Sequence, residues 1–312
     1  MLIPRENLKL FGHQAQREAL LKAFHSERFP HGWILAGPFG IGKATFSFHM
    51  ARYILSGRRD GNTDFAENEP FHRRIVAQSH GDVWTLGDEQ TREIGIESIR
   101  ELNSCLNQTS VTGGWRIIII DGADKLNRNA ANALLKRLEE PPPQTVFFLT
   151  TPYPGRLFPT IRSRCQLLTF NPLKEEDVRE VLQSQGLSPP EFFPLAEGSP
   201  GQLMRLMEDQ GAKIYEELQK VFEGGSPTSF IHTYGGEETS YTLIEDLFRN
   251  FLHTHLMAKA EGKSSFFKDV SLDQTLAICE KIKELFDKCR FAQLDKKVTL
   301  TCAFANIQNK NT

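Results

Sequence analysis

No two of the five cysteines in this sequence are spaced as C-x-x-C, and none has a histidine at zinc-binding spacing. Cys105, Cys165, Cys279, Cys289 and Cys302 therefore read as reduced, mostly packed thiols. An odd number without a secretion signal also argues against a disulfide framework. No apolar run approaches the roughly 18 residues of a membrane span, and the opening Met1-Leu2-Ile3-Pro4-Arg5-Glu6 has no apolar signal core. These absences make the cytoplasm the expected compartment and exclude a membrane role. A strong excess of either charge is missing too. With a net charge of −2, contact with nucleic acid has to come from a local patch or from partner chains. What remains is 312 residues, 39% hydrophobic and 24% charged, an ordinary globular composition with room for about two or three domains.

The most informative stretch runs Leu35-Ala36-Gly37-Pro38-Phe39-Gly40-Ile41-Gly42-Lys43-Ala44-Thr45. The pattern G-x-x-x-x-G-K-[ST] wraps backbone N–H groups around a phosphate chain, aims a lysine at its end and supplies a hydroxyl for magnesium. Gly37, Gly42 and Lys43 satisfy it, with Gly40 inside the loop, but Ala44 has no oxygen to offer a metal. Thr45 comes one residue late, turned about 100° around the helix that should begin here. His31 to Ala36 is an apolar run suited to a buried parallel strand, and Ala44 to Leu55 can continue as a helix. Strand, loop and helix are the context the motif requires; a glycine turn that touches no ligand is the bland alternative.

Ahead of it, Ala19, Leu20, Ala23 and Phe24 fall at helical spacing. Gly57 to Pro70 lacks periodicity and is rich in turn-forming residues, which predicts an exposed connection. Ile96, Ile99, Leu102 and Leu106 restore a helical period, ended by Gly113 and Gly114. Four isoleucines in Trp115-Arg116-Ile117-Ile118-Ile119-Ile120-Asp121-Gly122 then describe a central parallel strand that delivers Asp121 to the carboxyl edge of the sheet. This is where a Walker B aspartate would organise magnesium. Gly122 stands where such ATPases place a water-orienting glutamate, and a strand that merely ends in a turn is the alternative. The Ala- and Leu-rich stretch Asn127 to Glu140 has to end before Pro141-Pro142-Pro143. Val146 to Thr151 reads as a further buried strand, with Thr150 and Thr151 at the edge where a phosphate sensor would sit. Thr160 to Cys165 places a cation at the end of a short helix beyond the sheet.

Three separated segments resemble the AAA+ clamp-loader subunits of bacterial DNA polymerase III. They are Gly37 to Lys43, Asn132-Ala133-Leu134-Leu135-Lys136-Arg137-Leu138-Glu139-Glu140-Pro141-Pro142, and Ser163-Arg164-Cys165. The resemblance covers roughly residues 8 to 210. Within that family the chain is more similar to the non-hydrolysing delta prime kind than to the gamma/tau motors. Ala44 and Gly122 are two reasons. The third is Gly198-Ser199-Pro200-Gly201, where Gly201 occupies the place of the arginine in the motors' second sensor.

The resemblance implies an α/β AAA+ P-loop domain with a parallel sheet over residues 1–171, a small helical lid over 172–211 and a C-terminal helical collar over 212–312. It implies that Arg164 reaches across a subunit boundary to ATP held by a neighbouring motor, a task suited to a permanently charged, multi-donor guanidinium. A surface ion pair is the alternative role for Arg164. It further implies a degenerate nucleotide site made of Gly37, Gly40, Gly42, Lys43, Thr45, Asp121 and Thr151, with no cofactor required. The partners implied are gamma/tau and delta subunits in a hetero-pentameric ring, the sliding clamp indirectly, and primed DNA through the ring. Many delta prime subunits carry a four-cysteine zinc module before the Walker B strand; residues 46 to 114 hold only Cys105, so no metal is expected.

Two other readings stand beside this one. An independent ATPase would need Thr45 or a water in place of the missing hydroxyl and Asp124 as base. A binder without turnover would use only Lys43 and the loop amides, unless Phe39 or the 57–70 connection blocks the pocket. Nothing in the chain resembles a nucleotidyl-transfer site of its own. In the last third, Leu243, Leu247 and Phe251, then Leu272, Leu276 and Cys279, then Leu294, Val298 and Cys302 form apolar stripes that read as bundle core.

Overall fold

The computed structural model describes residues 3–26, 28–63, 65–66, 69–88, 91–190, 197–207, 209–236, 238–263, 265–267, 270–292 and 294–308. It forms two compact units, Met1–Gln202 and Leu203–Thr312. Among the described residues no helix is long and apolar enough to cross a membrane.

In chain order the first unit contains α1 (Gln14–Phe24), β1 (Gly32–Ala36), α2 (Lys43–Ser56), α3 (Pro70–Val76), β2 (Val83–Leu86), α4 (Ile96–Leu106), β3 (Arg116–Ile120), α5 (Arg128–Glu139), β4 (Thr145–Thr151), α6 (Pro159–Arg162), β5 (Gln166–Thr169), α7 (Glu175–Ser184) and the start of α8 (Pro200–Met207). The strands lie in the order β2-β3-β4-β1-β5, and every pairing is parallel. β1, β3 and β4 are buried along their whole length, which explains why they read as unbroken apolar runs: helices cover both faces. Alternation sorts their side chains. Trp33, Leu35, Ile117, Ile119, Val146 and Phe148 join Leu20, Phe24 and Phe46 of α1 and α2 in one core. Ile34, Ile118, Ile120, Phe147 and Leu149 join Ile99, Leu102, Leu134 and Leu138 of α4 and α5 in the other.

The register positions the candidate site. Ala36 pairs with Thr151 and Ile120 with Leu149, so the ends of β1, β3 and β4 emerge together at the carboxyl edge. β1, α2, α4, β3, α5 and β4 fall within a residue or two of where periodicity and turn residues place them, whereas α3, β2 and β5 have no counterpart in the sequence reading. α5 is capped by Asn127, whose side chain accepts the Ala130 amide, and it stops before the triple proline. The 57–70 connection departs from expectation. Its described part has no helix or strand before Pro70, but Thr63 and Phe65 are buried. Phe65 packs edge-on against Phe71, and the Gly61 amide donates to the Tyr53 hydroxyl. An aperiodic, polar stretch gives no signal that one phenylalanine in it will close a core.

The second unit holds the rest of α8, then α9 (Asp209–Phe222), α10 (Pro227–Tyr234), α11 (Glu238–Ala260), α12 (Leu272–Ala292) and α13 (Lys296–Gln308). Its core is aromatic: Phe222 stacks on Phe251 with ring centroids 3.8 Å apart, and Phe248 meets Phe304 at 4.8 Å. Leu243 and Leu247 of the first expected stripe are buried. The other two stripes are corrected. Leu272, Leu276, Leu294 and Val298 are 45%, 45%, 47% and 60% exposed, and Cys279 and Cys302 are half-buried. The faces that α12 and α13 bury carry Thr275, Ile282, Phe286 and Cys289, and Leu300, Ala303, Phe304 and Ile307. On α12 this face lies three residues out of phase with the expected one, about 60° around the helix.

Candidate functional site

The loop between β1 and α2 has the shape the motif demands. A Cβ on Gly37 would lie 2.3 Å from the Phe170 carbonyl oxygen, so only glycine fits beside β5's exit. Gly40 has φ +73°, the left-handed conformation that favours glycine, and Gly42 occupies the N-cap of α2. Lys43 turns back over the loop. Its Nζ donates to the Gly37 carbonyl at 2.7 Å and the Pro38 carbonyl at 2.6 Å, leaving one of its three N–H groups. The side chain is buried. Burial lowers its pKa to about 8, opposed by the charges of Asp121 and Asp124. Ala44 and Thr45 follow in the first turn of α2, both half-buried.

Two segments neighbour the loop, and the first, at His13, has no role in the sequence reading. His13 is buried, its Nε2 lies 2.6 Å from the Ile41 carbonyl, and its ring meets Phe170 edge-on at 4.8 Å. Burial holds its pKa below the usual histidine value. The second neighbour is the segment at the start of α8. The Gly201 amide donates to the Gly40 carbonyl at 2.9 Å, and Ser199 Oγ donates to the Phe39 carbonyl at 2.7 Å. Gly201 thus contributes a backbone contact to the glycine loop.

At the ends of β3 and β4 each acidic residue has a threonine. Thr150 Oγ1 donates to Asp121 Oδ1 at 2.6 Å and accepts the Gly122 amide at 3.0 Å. Thr151 Oγ1 donates to Asp124 Oδ1 at 2.8 Å and accepts the Tyr153 amide at 3.0 Å. Burial raises the Asp121 pKa; the Thr150 hydrogen bond and the Lys125 and Lys43 charges oppose that shift. Thr150 was not singled out by the sequence, because the spacing of a strand end does not say which of two adjacent threonines faces the carboxylate. Lys43, Asp121 and Thr151 are therefore gathered at one edge, with the hydroxyl of Thr151 engaged by Asp124.

These residues fit a phosphate group better than a metal–nucleotide complex. The loop glycines and the remaining Lys43 N–H suit an anion. Magnesium takes near-octahedral oxygen ligands; Ala44 contributes no side-chain oxygen, and Asp121 Oδ1 already accepts the Thr150 hydroxyl.

Arg164 lies apart from this edge, two residues beyond α6. Nη1 donates to the Thr160 carbonyl at 2.9 Å and Ser163 Oγ at 3.0 Å, and Nη2 donates to Glu139 Oε1 at 2.6 Å. Its side chain is 33% exposed. Beside the motif a cavity of about 510 Å³ opens between Pro154, Pro159, Arg162, Ser163 and Leu167. The adjacent Cys165 thiol is pushed up to about 12 by burial, so it is a packed thiol and not a nucleophile.

Comparison with known proteins places the chain. The family model described as DNA polymerase III, delta subunit matches residues 12–174. DNA polymerase III subunit delta' of Pseudomonas aeruginosa is 33% identical over 218 residues, 69% of this chain and 60% of that protein. The subunit delta' of Escherichia coli is 32% identical over 217 residues, 68% of this chain and 64% of that protein. The matched region thus spans somewhat less than two thirds of those relatives' length. The solved structure of a DNA polymerase III gamma subunit-related protein from Thermotoga maritima superposes with a TM-score of 0.51 at 20% identity, covering 95% of this chain and 100% of that one. At that identity the likeness concerns the fold alone. With a family match over more than half of its 312 residues and relatives of one kind, the chain belongs to the DNA polymerase III delta subunit family and is of the delta prime type.

Proposed function

We propose that this chain is a clamp-loader subunit that hydrolyses no ATP itself and lends Arg164 to ATP bound by a neighbouring motor. Its place is in a ring with gamma/tau and delta subunits, which loads the sliding clamp onto primed DNA in the cytoplasm. Residues 172–211 serve as lid and 212–312 as the collar of that ring. The observation that carries the reading is a contrast within one domain. Ala44 and Gly122 place no oxygen where magnesium and an attacking water would need one. Arg164 keeps its Nε–H and one Nη2–H without a partner among the described residues. Metal clamping and water orientation each lower the hydrolytic barrier, so losing both leaves little for Lys43 to accomplish alone. Phosphate held without turnover is compatible with the same geometry, through the free Lys43 N–H and the loop amides.

The test is reconstitution with motor and delta subunits and measurement of DNA-stimulated ATP hydrolysis for wild type and Arg164→Ala. A loss confined to the neighbouring site is the expected result. ATP turnover by the isolated chain that disappears in Lys43→Ala would overturn it.

A further inference from the structure

Glu139 is the last residue of α5, where the negative end of the helix dipole disfavours a carboxylate. The same turn carries Lys136 and Arg137, the residue types such an end favours. Local helix energetics therefore do not account for Glu139. What it does touch is Arg164: Oε1 accepts Nη2 at 2.6 Å, a short charge-assisted contact. From the other side, Nη1 is held by the Thr160 carbonyl and Ser163 Oγ at the end of α6. Three of the five guanidinium N–H groups are thus fixed by two separate elements, and the other two have no partner among the described residues.

We propose that Glu139 is a positioning residue for Arg164. It fixes the guanidinium plane so that the two remaining N–H groups are already oriented when a neighbour brings a phosphate. This rests on the trans role of Arg164 proposed above. The pair is half-exposed on both sides, so it adds little to fold stability. Arginine, however, carries several rotatable bonds, and an arginine held in advance loses less freedom on meeting its anion. The contact belongs to orientation more than to folding.

Rings in which only the neighbouring motor retains an intact phosphate loop supply the test. DNA-stimulated ATP hydrolysis is measured for Glu139→Ala, Glu139→Gln, Arg164→Ala and the double variant. An exposed pair of this kind corresponds to about a two- to five-fold fall in kcat for Glu139→Ala, with KM for ATP unchanged. Glu139→Gln retains an acceptor oxygen and should recover most of the rate. Adding Glu139→Ala to Arg164→Ala should cause no further fall, because there is no guanidinium left to orient. An unchanged rate in Glu139→Ala, or an equal fall with and without Arg164, overturns the positioning role while leaving the trans role standing. An unchanged rate in Arg164→Ala overturns both.

Discussion

Thr150 Oγ1 donates to Asp121 at 2.6 Å and accepts the Gly122 amide at 3.0 Å, so one hydroxyl ties the end of β4 to the turn after β3. Burial raises the Asp121 pKa, and this bond is the largest influence opposing the rise. Thr150→Val keeps the shape and removes the donor. A buried carboxylate and an amide then lose their partner, a cost of about 1–3 kcal/mol. The sign with pH follows from linkage. An aspartate whose folded pKa lies above its unfolded value binds more protons when folded, so its contribution to stability falls as pH rises through that window. Thr150→Val widens the window, and urea denaturation should show a greater loss at pH 7 than at pH 4.5. An equal loss at both would mean that Asp121 is not the group affected.

The closeness of Gly40 and Gly201 gives a steric prediction. A Cβ on Gly201 would lie 2.7 Å from Gly40 Cα, and one on Gly40 would lie 2.5 Å from Ser199 Oγ and 2.8 Å from the Gln202 amide nitrogen. Gly57 has φ +68° as Gly40 has +73°, with nothing within 4 Å of its added Cβ. Gly57→Ala should therefore cost only the left-handed strain, about 1–2 kcal/mol. Gly40→Ala should cost about 1–3 kcal/mol more, from forced displacement of packed backbone. Thermal unfolding of the two variants checks the difference. Equal costs would show that the loop and the start of α8 are not in register.

What the sequence made legible was set by period and by punctuation. β1, β3 and β4 are buried on both faces, so each is an unbroken apolar run, and the residues that emerge from them, Gly37, Asp121 and Thr151, fall on one edge by sequence pattern alone. The partners within that edge were not legible. Whether Thr150 or Thr151 meets Asp121, and that Gly201 would lie on Gly40, depend on register and on contacts more than 100 residues apart in the chain. Helical period likewise finds an apolar stripe without saying which of two stripes faces inward.

α12 makes that last point testable. Leu276 is 45% exposed and Ile282 is fully buried, although both are aliphatic residues on one helix. Leu276→Ser should change stability by no more than about 0.5 kcal/mol, as for most surface substitutions. Ile282→Ala should cost about 2–5 kcal/mol through lost burial and the cavity left behind. Chemical denaturation of the full chain distinguishes them. A large loss at Leu276 would restore the inward face expected from the sequence.

His49 provides the acid-sensitivity prediction. It is 1% exposed on α2, and neither ring nitrogen has a hydrogen-bond partner among the described residues. Burial lowers its pKa to about 3, helped by the positive charges of Arg52 and Arg17; the Leu8 carbonyl opposes the shift without completing a hydrogen bond. In the unfolded chain the same imidazole takes up a proton near its ordinary value of about 6.5. Between those two values the unfolded state binds a proton that the folded state does not, so stability falls as pH is lowered through this interval. The loss attributable to His49 is about 2 kcal/mol between pH 7 and pH 5. His13 and His80, whose pKa values are also lowered by burial, add to the acid sensitivity of the wild type and remain in the variant. His49→Leu should therefore lose about 2 kcal/mol less than wild type over that range, whatever its stability at pH 7. Denaturant titrations of both proteins at the two pH values measure the difference directly. Parallel losses would mean that the ring is protonated inside the fold, which would require an acceptor for it beside Arg52.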